Sequence, residues 1–504
     1  MRIKYSYGLV VIAAAFSSSV QAQSSFSFSP YQLEATNGSP EAVAIGDVTG
    51  DGLDDVVVIN NAYTTQVWRN HVLLYQQQND GQLAAPVALA YTQSASDHRS
   101  LQLVNLDTDD AQEIAIGHSQ GLTLVDFTES GLVISAEVAS SRANHVLESI
   151  DLNNDGFDDL IGLDISQYAT VYLADGEGGI AMQYELQTAN AAGNNDLEVG
   201  DLNNDGLPDL AVMNGGSSLF SDLAIHEQDG FAGFLPAQNY SVAGAFETPS
   251  AMAVADFNGD GLDDVVLGRN APSANFFWVF SQAPGGQLSA AVTMASAAST
   301  RVAEAADLDG NGLADLVLLH RNSSGSSLGY LLQDANGLTS EQLVSLPAPS
   351  QYELEALALG DINSDGCGDA VVADINRGMV ILTGQNCLQQ ADLAVEIAAR
   401  SGRAMVRGRH LSGDAAGMVT VRVYFSSRGP LNVNLPANCT PVAVAQTSYE
   451  MDCDLGAMVA GDVQRLNFWP SDVFGGTVTI TATISSEIDD PNPGNNFDRA
   501  ELKR

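Results

Sequence analysis

Residues 151–160, DLNNDGFDDL, recur almost unchanged at 201–210 as DLNNDGLPDL. Seven related nine-residue loops can be aligned: DVTGDGLDD from 47, NLDTDDAQE from 105, DLNNDGFDD from 151, DLNNDGLPD from 201, DFNGDGLDD from 256, DLDGNGLAD from 307 and DINSDGCGD from 361. They hold 25 of the 62 acidic residues and no Lys or Arg. Two bare carboxylates about 4 Å apart repel by about 4 kcal/mol at an effective dielectric near 20, and a divalent cation between them reverses the sign. Oxygen-only donors at positions 1, 3, 5 and 9, with Gly at 6 for a sharp bend and a carbonyl at 7 free to turn inward, suit hard Ca²⁺. Mg²⁺, which keeps its waters and insists on an octahedron, suits them less well.

The opening order is that of the EF-hand loop, but Asp at position 9 closes a shorter loop. The expected ligands are Asp47, Thr49, Asp51 and Asp55; Asp151, Asn153, Asp155 and Asp159; Asp201, Asn203, Asp205 and Asp209; Asp256, Asn258, Asp260 and Asp264; Asp307, Asp309, Asn311 and Asp315; and Asp361, Asn363, Asp365 and Asp369. That makes about six structural Ca²⁺ sites. The second copy departs from the pattern, with Asn105 first, Asp107 and Asp109 within, Asp110 where Gly is wanted and Glu113 last, so it is expected to be a weak site. Position 8 is Asp54, Asp158, Pro208, Asp263, Ala314 or Gly368 in the other six, variation that reads as dispensability. Solvated Asp/Asn-Gly turns without metal are the alternative.

Each loop stands between extended runs, AVAIG before and VVVIN after the first, and a further strand–turn–strand follows, as in HVLLYQQQNDGQLAAPVALA. Four strands per unit, at spacings of 46 to 58 residues, predict an all-β fold, a seven-bladed β-propeller over 27–390. The seventh unit lacks a fourth strand, and the unpartnered segment 27–35 is expected to supply it, closing the ring and hiding sheet edges. On these loops and flanks the region resembles the FG-GAP/VCBS repeats of integrin-α-like propellers, although the FG and GAP portions are largely missing. The resemblance implies calcium-stabilised adhesion or ligand recognition; similar propellers also occur in polysaccharide lyases and lectins.

From 391 to 504 the Asp-Gly loops give way to alternating runs such as MVTVRVYFSS and GGTVTITATISS, which predict an immunoglobulin-like β-sandwich. With its terminal DPNPGNN phrase and a Cys pair, this region resembles the immunoglobulin-like modules of bacterial surface proteins. Trp469 is expected in its core. Four cysteines allow three pairings, of which the local ones, Cys367 with Cys387 and Cys439 with Cys453, are favoured over free buried thiols.

Residues 1–22, with Arg2, Lys4, an apolar core and VQA, read as a secretory signal, so a periplasmic, extracellular or cell-surface location is expected. No run reaches the ~20 apolar residues of a spanning helix. A net charge of −43 repels nucleic acid. No nucleophile elbow, zinc-like histidine spacing or phosphate loop occurs. One polar ring stands out six residues before the loops: Glu41, Arg99, His145, Asn195, Ser250, Arg301 and Glu355, with Glu148, Glu198 and Glu304 three residues before. These positions either line a ligand pocket at the mouth opposite the Ca²⁺ loops or are polar strand ends that bond between blades. A non-enzymatic recognition or adhesion protein with a protein or glycan ligand is therefore expected, with a polysaccharide lyase as its rival.

Overall fold

The computed structural model describes residues 26–60, 70–91, 100–109, 111–188, 193–215, 223–242, 249–269, 276–322, 325–348, 352–387, 391–400, 403–413, 416–434, 436–458, 463–472, 477–486 and 496–502. Residues 1–22, read above as a secretory signal, Arg99 and most of the DPNPGNN phrase lie outside them. The described chain is all-β, with no helix.

Among the described residues, seven antiparallel four-stranded sheets follow one plan. In the first, Pro40–Gly46, Asp55–Asn60, His71–Tyr75 and Val87–Ala90 pair in that order. The acidic loop joins strands one and two. Burial grades outward: the second strand, DVVVIN, is wholly buried, whereas the fourth, VALA, is largely exposed. This is why the second strands read as continuous apolar runs and the fourth strands as mixed ones.

The first strands of sheets two to seven are Ser100–Val104, Val146–Ile150, Gly193–Gly200, Pro249–Ala255, Thr300–Ala306 and Leu357–Gly360. Each packs on its neighbours in cyclic order, and Leu357–Gly360 returns to contact Pro40–Gly46. The Val43 N–H donates to the Glu355 carbonyl at 3.0 Å across this junction. The sheets therefore form a closed ring, a β-propeller, and hydrophobic clusters fill the spaces between adjacent sheets. The N-terminal strand Gln32–Glu34 pairs with Gly378–Leu382 as the outer strand of the seventh sheet, and Ser27–Phe28 pairs with Gly384–Gln385. Phe26 and Phe28 are buried edge-on against Tyr330, so aromatic packing reinforces the latch.

Residues from 391 onward form a three-stranded sheet, Ala391–Arg400, Arg403–Gly413 and Val463–Phe468, and a five-stranded one in the order Cys439–Val444, Ser448–Met458, Ala416–Ser427, Val478–Ser485, Phe497–Leu502. One core joins their facing sides, with Leu393, Val406 and Phe468 from the first and Val421, Phe425 and Ile480 from the second. Trp469 is not in that core: it is 55% exposed. Alternation along its strand sends Leu466 and Phe468 inward, and Trp469 takes the opposite parity. Both local disulfides are present, Cys367–Cys387 and Cys439–Cys453, the latter between directly opposed strand residues.

Candidate metal loops and the channel mouth

The acidic loops are organised by their own backbone. The first Asp accepts two amides: Asp155 N–H reaches Asp151 Oδ1 at 3.2 Å and Gly156 N–H reaches Oδ2 at 2.9 Å. Asp47, Asp201, Asp256, Asp307 and Asp361 do the same. Position 5 then accepts the amide of position 7, as Asp205 does from Leu207 at 2.9 Å. The glycine at position 6 has φ between 80° and 93° in all six regular loops. A Cβ on Gly52, Gly156 or Gly206 would touch nothing within 4 Å, so the left-handed backbone, not space, requires glycine there. Position 4 is left-handed too, filled by Gly50, Asn154, Asn204, Gly259, Gly310 and Ser364. That restriction was readable in the sequence as Gly, Asn or Ser.

Position 9 is the buried end of each loop. Asp159 accepts Leu152 N–H at 3.1 Å on one oxygen and Ala174 N–H at 2.8 Å on the other. Asp315 holds Leu308 and Gln333 likewise, and Asp369 holds Ile362 and Gly384. The carboxylate thus ties the loop entrance to the third strand. Burial, aided by neighbouring carboxylates, pushes Asp159 and Asp264 up to about 6, Asp209 and Asp315 to about 7 and Asp369 to about 8.

The donor set fits a hard cation, because every side chain at positions 1, 3, 5 and 9 offers oxygen. In the sixth loop Asp307, Asp309 and Asp315 bring carboxylate oxygens within 4.8 Å of one another. In the fourth, Asn203 Oδ1 is buried with no donor. In the fifth and seventh, the amide nitrogens of Asn258 and Asn363 face Asp264 Oδ2 at 2.8 Å and Asp369 Oδ2 at 3.2 Å, where a bound cation would face a turned amide oxygen. A cation held by these residues would supply charge neutralisation between strands one and two. The second loop also converges: Asp107, Asp109 and Glu113 form a three-carboxylate group, the longer Glu113 reaching Leu106 N–H at 2.7 Å, and Asn105 Oδ1 is buried with no donor. Cys367 and Cys387, close to Asp365, are disulfide-bonded and offer no thiolate.

Position 8 is not idle where it is Asp. Asp54 Oδ2 accepts Asp361 N–H at 3.1 Å, Asp158 Oδ2 accepts Asn105 N–H at 3.1 Å and Asp263 Oδ2 accepts Asp201 N–H at 2.9 Å. Each clasps the loop of the preceding sheet around the ring. Pro208, Ala314 and Gly368 leave the junctions of sheets three and four, five and six, and six and seven without this clasp, although Gly368 N–H bonds the Leu308 carbonyl at 3.0 Å, as Asp158 N–H bonds the Asn105 carbonyl at 2.9 Å.

At the opposite mouth, Glu41, Ser250 and Arg301 are the extra residues of β-bulges in the first strands, and Asn195 holds the same bulge register. A bulge leaves its residue out of the ladder and re-aims the chain, which explains the polar recurrence. Ser250 Oγ donates to the Thr300 carbonyl at 2.8 Å, and Arg301 lies 3.8 Å from Glu353. His145 N–H caps the Leu163 carbonyl. Glu355 does something else. Its Oε1 accepts Leu147 N–H of the third sheet, and Leu354 packs with the core of sheets three and four, so residues 352–355 reach across the lumen from the seventh sheet.

Glu148, Asp196, Glu198, Glu304 and Glu355 face that lumen. Burial raises all five, with repulsion from neighbouring acids adding to it for the four glutamates; Asp196 reaches about 7 against the opposing pull of two backbone amides and Arg301, and Glu304 about 8. A second polar ring escaped the sequence reading: five residues after each loop stand Asn60, His118, Asp164, Asn214, Arg269, His320 and Asp374. His320, fully buried, meets Glu341 at 2.5 Å, His118 bonds Thr123, and Asn60 Nδ2 donates to the Thr36 carbonyl, so the ring pins the loops of this mouth.

No curated protein sequence matches the chain. The FG-GAP repeat family matches residues 39–82 and the FG-GAP-like repeat family matches 151–212 and 256–318, each of the latter running from one acidic loop through the next. The chain thus carries FG-GAP repeats at three positions, and these indicate a β-propeller of the integrin-like recognition or adhesion type.

Proposed function

We propose that this is an exported Ca²⁺-stabilised recognition or adhesion protein, a seven-bladed propeller followed by an immunoglobulin-like sandwich, binding a protein or glycan at or outside the cell envelope. The observation that carries the metal reading is the shared loop construction: left-handed backbone at positions 4 and 6, a first Asp committed to two amides, and a buried acid at position 9. The second loop joins the six regular ones as a site, since its three carboxylates converge. Recognition is favoured over the lyase reading because residues 352–355 cross the lumen, and its lining of Glu148, Asp196, Glu198, Glu304 and Glu355 offers carboxyl groups where an acidic polysaccharide needs cationic ones.

Metal analysis of the purified protein after dialysis tests the first part: several tightly held calcium ions per chain are expected, and fewer than two would end it. Incubation with acidic polysaccharides, followed for unsaturated-product absorbance, is expected to show no turnover.

A further inference from the structure

The outer face of the three-stranded sheet is cationic, in a protein of net charge −43. In Arg403–Gly413, Ala404, Val406 and Gly408 point into the core, so Arg403, Met405, Arg407 and Arg409 share the outer side. On the neighbouring strand Arg465 stands opposite Arg407 and Asn467 opposite Met405. Arg403, Arg409 and Arg465 are exposed. Trp469 adds an exposed indole, with the Arg403 guanidinium 5.8 Å from its ring centre. Glu396, 3.1 Å from Arg407, is the one carboxylate paired to this face among the described residues.

We propose that this face binds a linear acidic polysaccharide. From Arg403 to Arg409 the strand runs about 20 Å, and adjacent strands lie about 5 Å apart, so the guanidinium groups form a strip that an extended polymer can follow. Planar guanidinium forks match sugar carboxylates in two-point hydrogen bonds. The indole offers a flat apolar platform for the face of a pyranose ring, and polar atoms around it fix direction. A second copy of the chain is the competing anion. Its loop carboxylates are less suitable, because positions 1 and 9 are committed to their own backbone amides. The net charge of the whole molecule is screened beyond about 8–10 Å at moderate salt, so the local face decides the contact. The inference concerns a surface separate from the propeller and stands independently of the calcium reading.

Labelled oligogalacturonides, added to the full chain in calcium and followed by fluorescence polarisation, test it; the fully methyl-esterified oligomers are the neutral control. Wild type is expected to bind only the acidic form, and less as salt rises. Arg409→Ala with Arg465→Ala is expected to weaken binding about tenfold or more, Trp469→Ala about fivefold, and Glu396→Gln, which releases Arg407, to tighten it about twofold. The altered residues are exposed or half-buried, and unchanged melting of each variant secures the comparison. Absence of binding, equal binding of the esterified oligomers, or variants that bind like wild type would overturn the proposal. So would a concentration-dependent dimer in sedimentation, abolished by the Arg pair, in a protein that ignores the oligomers.

Discussion

The propeller and the C-terminal sandwich solve opposite electrostatic problems with the same β-architecture. Residues 391–504 hold 10 of the 19 Lys and Arg but only 13 of the 62 acidic residues. The rest of the chain is therefore strongly acidic, with its acids concentrated in loops and lumen. In the propeller, carboxylates are built into the frame: position 9 ties strands, position 8 clasps sheets, and on the reading proposed above a cation would balance the charge. In the sandwich, charged groups lie on outer faces over an apolar core and pair locally, as Arg422 does with Asp452 at 2.7 Å. Folding of the first region should therefore depend on ions, and that of the second on core packing and a covalent bond.

Chelation should separate the regions most sharply. Each site filled at about a hundred times its dissociation constant adds about 2.7 kcal/mol, so several sites move the propeller transition far. In calorimetry with excess Ca²⁺ and then with chelator, one transition is expected to fall steeply while the sandwich transition stays. A single transition that ignores chelator would erase the contrast.

Removing a position 9 acid comes next. Asp315→Ala leaves two buried amides unpaired at about 1–3 kcal/mol each, a loss that persists in saturating Ca²⁺. Asp307→Ala, at the exposed end of the same loop, is expected to cost less. Chemical denaturation of the pair checks the order.

The converse experiment acts on the sandwich. Cys439→Ala with Cys453→Ala opens a 14-residue separation and should cost about 3 kcal/mol. The sandwich transition should shift and the chelator-sensitive one should not.

A smaller effect follows from the lumen. Asp196 and Glu304, at about 7 and 8, hold protons in the folded state that the unfolded chain releases near 4. The stability they contribute is complete below that range and is lost as pH rises through about 7 to 8. Facing them are Glu148, Glu198, Glu355 and Arg301, the last favouring ionised Asp196. With Ca²⁺ saturating, the propeller transition should decline from pH 5 to 9, and Glu304→Gln should flatten the slope. The smallest change expected is Asp158→Ala, which removes one inter-sheet hydrogen bond worth about 1 kcal/mol.

Much of this was legible beforehand because it is periodic. Seven copies of one loop identified positions 1, 3, 5, 6 and 9 by comparison within a single chain, and the incomplete seventh unit pointed to the N-terminal latch. Position 8 was misread for an instructive reason. Its partner is the amide of another loop 53 or 62 residues earlier, or around the ring for Asp54, so variation between copies marks which junctions carry the clasp and not dispensability. Trp469 was misplaced because a Trp beside a strand of apolar alternation fits either face, and parity is settled by register. The second polar ring went unnoticed because Asn, His, Asp and Arg look unrelated until the strands place them at one depth.

The sequence by itself determined the repeat, the strand order within each unit and the acidic make-up of the loops, and it favoured the local disulfides. All of these depend on residues close together in the chain, where spacing translates directly into geometry. Only the tertiary structure decided that Asp196 joins the recurring glutamates in the lumen, that residues 352–355 cross it, and that four arginines and a tryptophan meet on one face. Those are matters of ring closure and strand register, which bring together side chains whose separation in sequence carries no signal.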